Sequence, residues 1–226
     1  MINNSLVPPS IDHLSLQLVK RKLPFSSYWG IAQTIIEKTG IRNGNFLEIN
    51  GDNCFLGVAM TQLTGMQIYL MENSKDIMNH LAFQLKQNCM EKEVTVVKGS
   101  PLKIPVEDGQ IHLVVFRKSI FNWRSPQKTF QEIYRILTPG GIAYLGDDSW
   151  NGQKWNSIEN KLKDYGIRLS EQLNGDIWRN RLEKVREKII QAGIQSFEMV
   201  CNGEGLQIII RRPEEQKKYL NQYVYS

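Results

Sequence analysis

Two acids and the short polar loop between them are the residues of this chain whose types and spacing point most directly to chemistry. Glu48 lies in the apolar run Phe46-Leu47-Glu48-Ile49, and Glu72 ends a second run about 24 residues later, near the spacing at which an acid accepts both ribose hydroxyls in nucleotide-binding sheets. Glu72 also has a local reading, because with Asn73 and Ser74 it forms a polar cluster able to cap a helix. Between the two acids runs Asn50-Gly51-Asp52-Asn53-Cys54, a turn holding one glycine where about three are usual. Asn and Asp tolerate a left-handed backbone better than other side chains, so the turn can survive. Room is the harder matter: each side chain narrows a pocket, and Asp52 adds negative charge.

These residues need a scaffold, and hydrophobic periodicity supplies one. Short apolar runs at Phe46–Asn50, Gln67–Met71, Val94–Lys98, His112–Phe116 and Ile142–Gly146 alternate with helical patterns at Leu56–Leu63, Lys75–Met90 and Gln127–Leu137. Continuous apolar strands separated by helices predict a parallel sheet covered on both faces, with ligands at the strand C-termini. Ahead of it, Ile11, Leu14 and Leu18 outline a short amphipathic helix. "SSYWGIAQTIIEKTG" then predicts a helix capped by Ser26 or Ser27 and closed by Gly40. After helical segments near Trp155–Tyr165 and Asp176–Ala192, the runs Gln195–Val200 and Leu206–Arg211 are joined by "CNGEG". This is a hairpin signature, which adds an antiparallel pair at the sheet's edge. The domain reading is an N-terminal helical extension or lid over residues 1–27 and one α/β domain over 28–226.

The bulk composition agrees with one domain. The chain has 226 residues, 41% hydrophobic and 23% charged, enough for one substantial core. Neither a leader pattern nor a bilayer-length apolar run is seen, which predicts a soluble, cytoplasmic protein. Cys54, Cys89 and Cys201 are far apart, so neither a metal site nor a disulfide framework is expected. The net charge of +5 raises the question of nucleic acid. Much of the excess, however, lies in "RNRLEKVREK", where glutamates interleave at helical spacing and a solvated face is the simpler reading. A single histidine such as His112 is more often a satisfied, partly buried side chain than a catalyst.

"LEINGDNCFLGVAM", "YLMENSKDIM", "GSPLKIPVEDGQIHLVVFRKSIFNW" and "TFQEIYRILTPGGIAYL" resemble, in order and spacing, the class I S-adenosylmethionine-dependent methyltransferases, in particular their small-molecule, quinone/sterol-type branch. The resemblance covers about Tyr28 to Asp148, and "EIYRILTPGG" is its most specific piece. It implies a Rossmann-like seven-stranded, mostly parallel sheet with a C-terminal antiparallel hairpin and helices on both faces. It also implies S-adenosylmethionine as cofactor. Glu72 with Asn73 then faces the ribose, Glu48 orients the loop of Asn50, Gly51 and Asp52, and Ser100 and Leu102 lie at the adenine ring. Ser100 stands where the family usually has an acid, and a hydroxyl accepts the adenine amino group more weakly than a carboxylate. Arg117, Lys118 and Ser119 leave the fourth strand where the methyl group would be presented. Two cations beside a sulfonium are unfavourable unless an acidic substrate neutralises them, which points to an anionic ligand; a solvent-facing charge pair is the alternative. Tyr28, Trp29, Phe121 and Trp123 are pocket aromatics or plain core.

Two functions follow. One is direct in-line methyl transfer to a small, anionic molecule, which needs alignment rather than a fixed catalytic triad. The other is a non-catalytic methyltransferase-like protein, a pseudoenzyme that supports a partner subunit, as a hetero- or homo-oligomer, or binds another ligand in the remodelled cleft. Asp147 and Asp148 after the fifth strand are further acidic departures near the same pocket. Nucleic acid is the weakest of the partner readings.

Overall fold

The computed structural model describes residues 25–51, 53–87, 89–118, 120–146, 175–202 and 205–214. Helix α1 (Phe25–Thr39) precedes strand β1 (Asn45–Ile49), followed by α2 (Phe55–Leu63), β2 (Gln67–Glu72), α3 (Lys75–Gln87), β3 (Val94–Lys98) and β4 (Ile111–Phe116). A single 3-10 turn (Ile120–Asn122) leads to α4 (Pro126–Ile136), β5 (Leu137–Gly146), α5 (Gly175–Gln191), β6 (Phe197–Asn202) and β7 (Gly205–Arg211). The strands form one seven-stranded sheet in the order β3-β2-β1-β4-β5-β7-β6. Pairing from β3 to β5 is parallel, while β7 runs antiparallel to both β5 and β6. This is the predicted sheet with its antiparallel hairpin at one edge.

Side-chain alternation along the strands divides the core into two layers. Phe46 of β1, Ile68 and Leu70 of β2, and Leu113 and Val115 of β4 pack with Ile35 and Ile36 of α1, Met60 of α2 and Leu81 of α3. Leu47, Ile49, Val114 and Phe116 face the other way, onto Phe130, Ile133 and Ile136 of α4 and Ile189 of α5. On α5, Val185 and Ile189 are buried, while Glu183, Lys184, Arg186 and Glu187 are exposed. That basic stretch is therefore a solvated helix face.

Three local expectations change. Helix α1 starts at Phe25, so Ser26 and Ser27 lie in its first turn and neither is its cap. Strand β5 begins at Leu137, earlier than Ile142, and carries Thr138 to Gly141 within it. Its register against β4 shifts between Ile111 and Leu113. Gly140 adopts φ +79, and a Cβ on Gly141 would fall 2.8 Å from the Thr138 carbonyl oxygen and 3.0 Å from that of Ile111. The glycines thus admit an irregular strand rather than a separate turn. Helix α3 ends at Gln87, short of Met90. The segments Ile11–Leu18 and Trp155–Tyr165, with Asp147 and Asp148, lie outside the described residues. No helix among the described residues is long and apolar enough to cross a membrane.

Candidate functional site

The chain builds outward from β1 to β2 and β3, then returns to place β4 and β5 on the other side of β1. The C-terminal ends of β1 and β4 therefore flank the switch point at which open α/β sheets bind ligands. Glu48 pairs in register with Val115, and Ile49 with Phe116, so Arg117 emerges directly beside the loop that follows β1. A cavity of about 40 Å³ lies here, lined by Tyr28, Glu48, Asn50, Gly51, Asn53, Arg117 and Lys118. A larger cavity, about 220 Å³, is lined by Asn45, Tyr69, Glu107, Gln110 and Ile111. It sits at the start of β1 and β4, the opposite edge of the sheet. Chemistry rather than volume locates the site.

The loop is tight because its backbone is held. Asn50 takes the left-handed conformation, φ 55, and its N–H donates to the Met71 carbonyl at 2.8 Å. Asn thus fills a position where glycine is the usual choice, as its short polar side chain allows. Gly51 has a different reason to be glycine: a Cβ there would fall 2.9 Å from Cδ and 3.0 Å from Oε1 of Glu48. The carboxylate lies directly under the loop. Close helix–strand approach is met by Gly57, in the first turn of α2, whose Cβ would meet Leu70 and Ile68 side chains at 3.0 and 3.2 Å. The sequence reading missed Gly57, although its place just after the loop is the available signal.

Glu48 is 1% exposed, and its Oε1 accepts from Arg117 Nε at 3.4 Å. The guanidinium also stands over the Tyr28 ring, 5.1 Å from its centroid, a cation–π arrangement. Tyr28 is fixed in turn: Asn53 Nδ2 donates to its hydroxyl at 2.9 Å, and its ring meets Phe55 edge-on at 5.4 Å. Cys54, beneath the loop, is fully buried. Burial in the core pushes its thiol up to about 11, with the Glu48 charge adding to the rise.

Glu72, 6% exposed, ends β2. Its Oε1 accepts from the amides of Asn73 and Ser74 at 2.7 and 3.2 Å, while Oε2 is buried and accepts no hydrogen bond among the described residues. Gly99 N–H donates to the Glu72 carbonyl at 3.0 Å, and a Cβ at Gly99 would collide with Met71 Sδ and Pro105 Cδ, both at 2.6 Å. That contact sets the loop of Ser100 and Leu102 beside Glu72. Ser100 bridges to Lys103, and Leu102 is 43% exposed.

The structure therefore brings together Tyr28, Glu48, Asn50, Gly51, Arg117 and Lys118 around the crevice, with Glu72, Asn73, Ser100 and Leu102 along the neighbouring strand ends. Trp29, itself on α1, packs on the core. Trp123 stacks edge-on between Phe116 and Phe130, at 5.1 and 5.0 Å, and is not among the crevice-lining residues. Asp52 and Ser119 lie outside the described residues. His112 stands at the far edge, where its Nδ1 accepts from the Asn45 N–H at 3.1 Å.

Residues 54–145 match the family described as a methyltransferase domain. The C-methyltransferase UbiE of ubiquinone/menaquinone biosynthesis from Blochmanniella floridana is 23% identical over 60% of this chain; the chain spans about half of that relative's length, 54%. A structure assigned as an S-adenosyl-L-methionine-dependent methyltransferase from Methanococcus maripaludis superposes with a TM-score of 0.70 and 26% identity, covering 90% of this chain and 93% of that one. A chain from the complex of the Haloferax volcanii Trm112 methyltransferase activator shares the fold, with a TM-score of 0.56 at 12% identity, covering 92% of this chain and all of that one, 100%. In sequence over residues 54–145 and in fold, the chain is thus similar to methyltransferases that use S-adenosylmethionine as cofactor.

The residues present fit that cofactor in one half and not in the other. The Oε2 of Glu72, buried and without a hydrogen-bond partner among the described residues, has the chemistry to accept from a ligand hydroxyl. Beside Glu48 and Arg117 the crevice leaves about 40 Å³, room for a few water molecules, so this half would have to open to take the rest of the cofactor.

Proposed function

We propose that this chain transfers the methyl group of S-adenosylmethionine to a small anionic acceptor by direct in-line displacement. The observation that carries this reading is the Glu72 carboxylate, buried at the end of β2 with one oxygen committed to backbone amides and the other free to accept. An unsatisfied buried carboxylate oxygen is costly, and a ligand hydroxyl would satisfy it. In this reading Glu72 and Asn73 hold the ribose, Ser100 and Leu102 the base, and Glu48, Asn50 and Gly51 border the methionine end. The bound cofactor supplies an electrophilic methyl group; the chain supplies alignment. Arg117 and Lys118 at the crevice favour an acceptor that carries negative charge, with Tyr28 toward its side.

Calorimetric titration with S-adenosylmethionine and S-adenosylhomocysteine tests this. Micromolar binding that weakens roughly tenfold or more in Glu72→Ala supports it, since a hydrogen bond to a charged group contributes about 1.5–3 kcal/mol. A folded protein that binds neither compound up to millimolar overturns it. The filled methionine end favours a second reading in that event: a non-catalytic methyltransferase-like protein that supports a partner subunit or takes another ligand.

A further inference from the structure

The cation position of this crevice is already occupied, and the occupant is part of the chain. Arg117 lies between the Glu48 carboxylate, 3.4 Å from its Nε, and the face of Tyr28, 5.1 Å from its Cζ. A buried anion and an aromatic face are the two groups that together make a cation site in a protein interior. Here both are turned toward one guanidinium that is itself only 13% exposed. The remaining space, about 40 Å³, leaves room beside it for only a few water molecules. Register explains the position: the pairing of Ile49 with Phe116 puts the next residue of β4 against the β1 loop.

We infer that Arg117 is a specificity residue that makes the crevice discriminate by charge, taking a neutral thioether nucleoside in preference to a sulfonium one. The inference rests on the reading of the crevice as an S-adenosylmethionine site. A tethered guanidinium competes for Glu48 and Tyr28 at the high effective concentration that tethering gives. A ligand bearing a sulfonium must displace it or accept like-charge repulsion at short range in a region shielded from water. A neutral thioether of the same shape meets neither penalty. An acceptor carrying a carboxylate or phosphate would neutralise Arg117 and lift the restriction, so cofactor and acceptor would bind with positive coupling.

The experiment compares the dissociation constants of S-adenosylmethionine and S-adenosylhomocysteine by calorimetry in the wild-type chain, in Arg117→Gln and in the double variant Glu48→Gln/Arg117→Gln. Wild type is expected to bind S-adenosylhomocysteine tighter by roughly tenfold or more. In Arg117→Gln, binding of S-adenosylmethionine should tighten by a similar factor while that of S-adenosylhomocysteine moves little. The Glu48 carboxylate and the Tyr28 face, no longer facing a guanidinium, then favour the cation. If loss of the guanidinium beside Glu48 prevents Arg117→Gln from folding, the double variant carries the test: it removes both charges of the pair, and the two ligands should bind within a few-fold of each other. An unchanged ratio in both variants overturns the charge filter and leaves the cofactor reading standing. So does a parallel weakening of both ligands, which would make Arg117 a residue that holds the nucleoside. Absence of binding to all three proteins overturns the cofactor reading itself, and the filter with it.

Discussion

At Gly51 and Asn50 the chain meets one loop's demands in two ways, and the two residues respond differently to substitution. Gly51 is glycine for space. Gly51→Ala would drive a methyl group into the Glu48 carboxylate, displacing it from Arg117. The expected loss is about 1–2 kcal/mol, measurable by urea unfolding. Asn50 is there for conformation, φ 55, so Asn50→Gly should be neutral within about 0.5 kcal/mol, whereas Asn50→Val should lose about 1–2 kcal/mol. Cys54 makes a pH prediction. Its folded thiol titrates at about 11 against an ordinary 9.0, so the neutral thiol is favoured on folding. That stability is fully present below pH 9 and is lost as pH rises through about 11. Iodoacetamide at pH 8 should accordingly label exposed Cys89 and spare buried Cys54; mass spectrometry of the digested protein decides. At this scale the left-handed tolerance of Asn50 was legible in the sequence. The Arg117–Glu48 pair was not, because its members lie 69 residues apart and meet only through the β1–β4 register.

Among the elements, α4 shows why "EIYRILTPGG" is the most recognisable stretch of the chain. Arg135 on α4 donates from Nη1 to the Val106 carbonyl and Asp108, at 2.8 and 2.7 Å, and from Nη2 to the Ile104 carbonyl at 3.0 Å. It is also held in a bidentate pair by Glu132, at 3.0 Å for each oxygen. Glu132 accepts from the Ile104 N–H as well, at 3.0 Å. One helix turn thus fixes the loop that carries Ser100 and Leu102 toward β4. Arg135→Lys cannot reproduce the fork and should cost about 2 kcal/mol. The bonds from Arg135 hold the Glu132 carboxyl below its ordinary 4.5. A depressed acid stabilises the fold above its unfolded value, and that contribution disappears as pH falls through the folded one. Glu132→Gln should therefore flatten the loss of stability below about pH 4.5, followed by circular dichroism during acid titration. Strand and helix identities along this region were legible from apolar periodicity. The start of β5 was not, because Pro139, Gly140 and Gly141 are turn residues by composition, and only their pairing with the neighbouring strand makes them part of it.

Across the whole molecule, helix α1 couples the crevice to the far side of the sheet. At its C-terminal end Lys38 Nζ donates to Gln207 Oε1 of β7 at 2.7 Å, and Gln207 Nε2 donates to the hydroxyl of Tyr144 on β5. Along its length Ala32, Ile35 and Ile36 are buried against the sheet. At its N-terminal end Tyr28 covers Arg117 and holds Asn53. The anchored end and buried face hold the helix against the sheet, and Tyr28 in its first turn carries the contacts to the crevice. Opening the crevice beside Arg117 is therefore expected to move Tyr28 more than the sheet. Tyr28→Ala removes the hydroxyl partner of Asn53, the edge-on contact with Phe55 and the aromatic face over Arg117. It should speed hydrogen exchange at the amides of Asn53 and Cys54 while the amides of β1 and β4 keep wild-type protection, because their hydrogen bonds belong to the sheet core. Native-state hydrogen exchange by mass spectrometry or NMR reads both regions at once. Faster exchange throughout the sheet would mean that α1 is needed for global stability rather than for closing the crevice. Unchanged exchange at Asn53 and Cys54 would show that the loop is held by Asn50 and Gly51 alone.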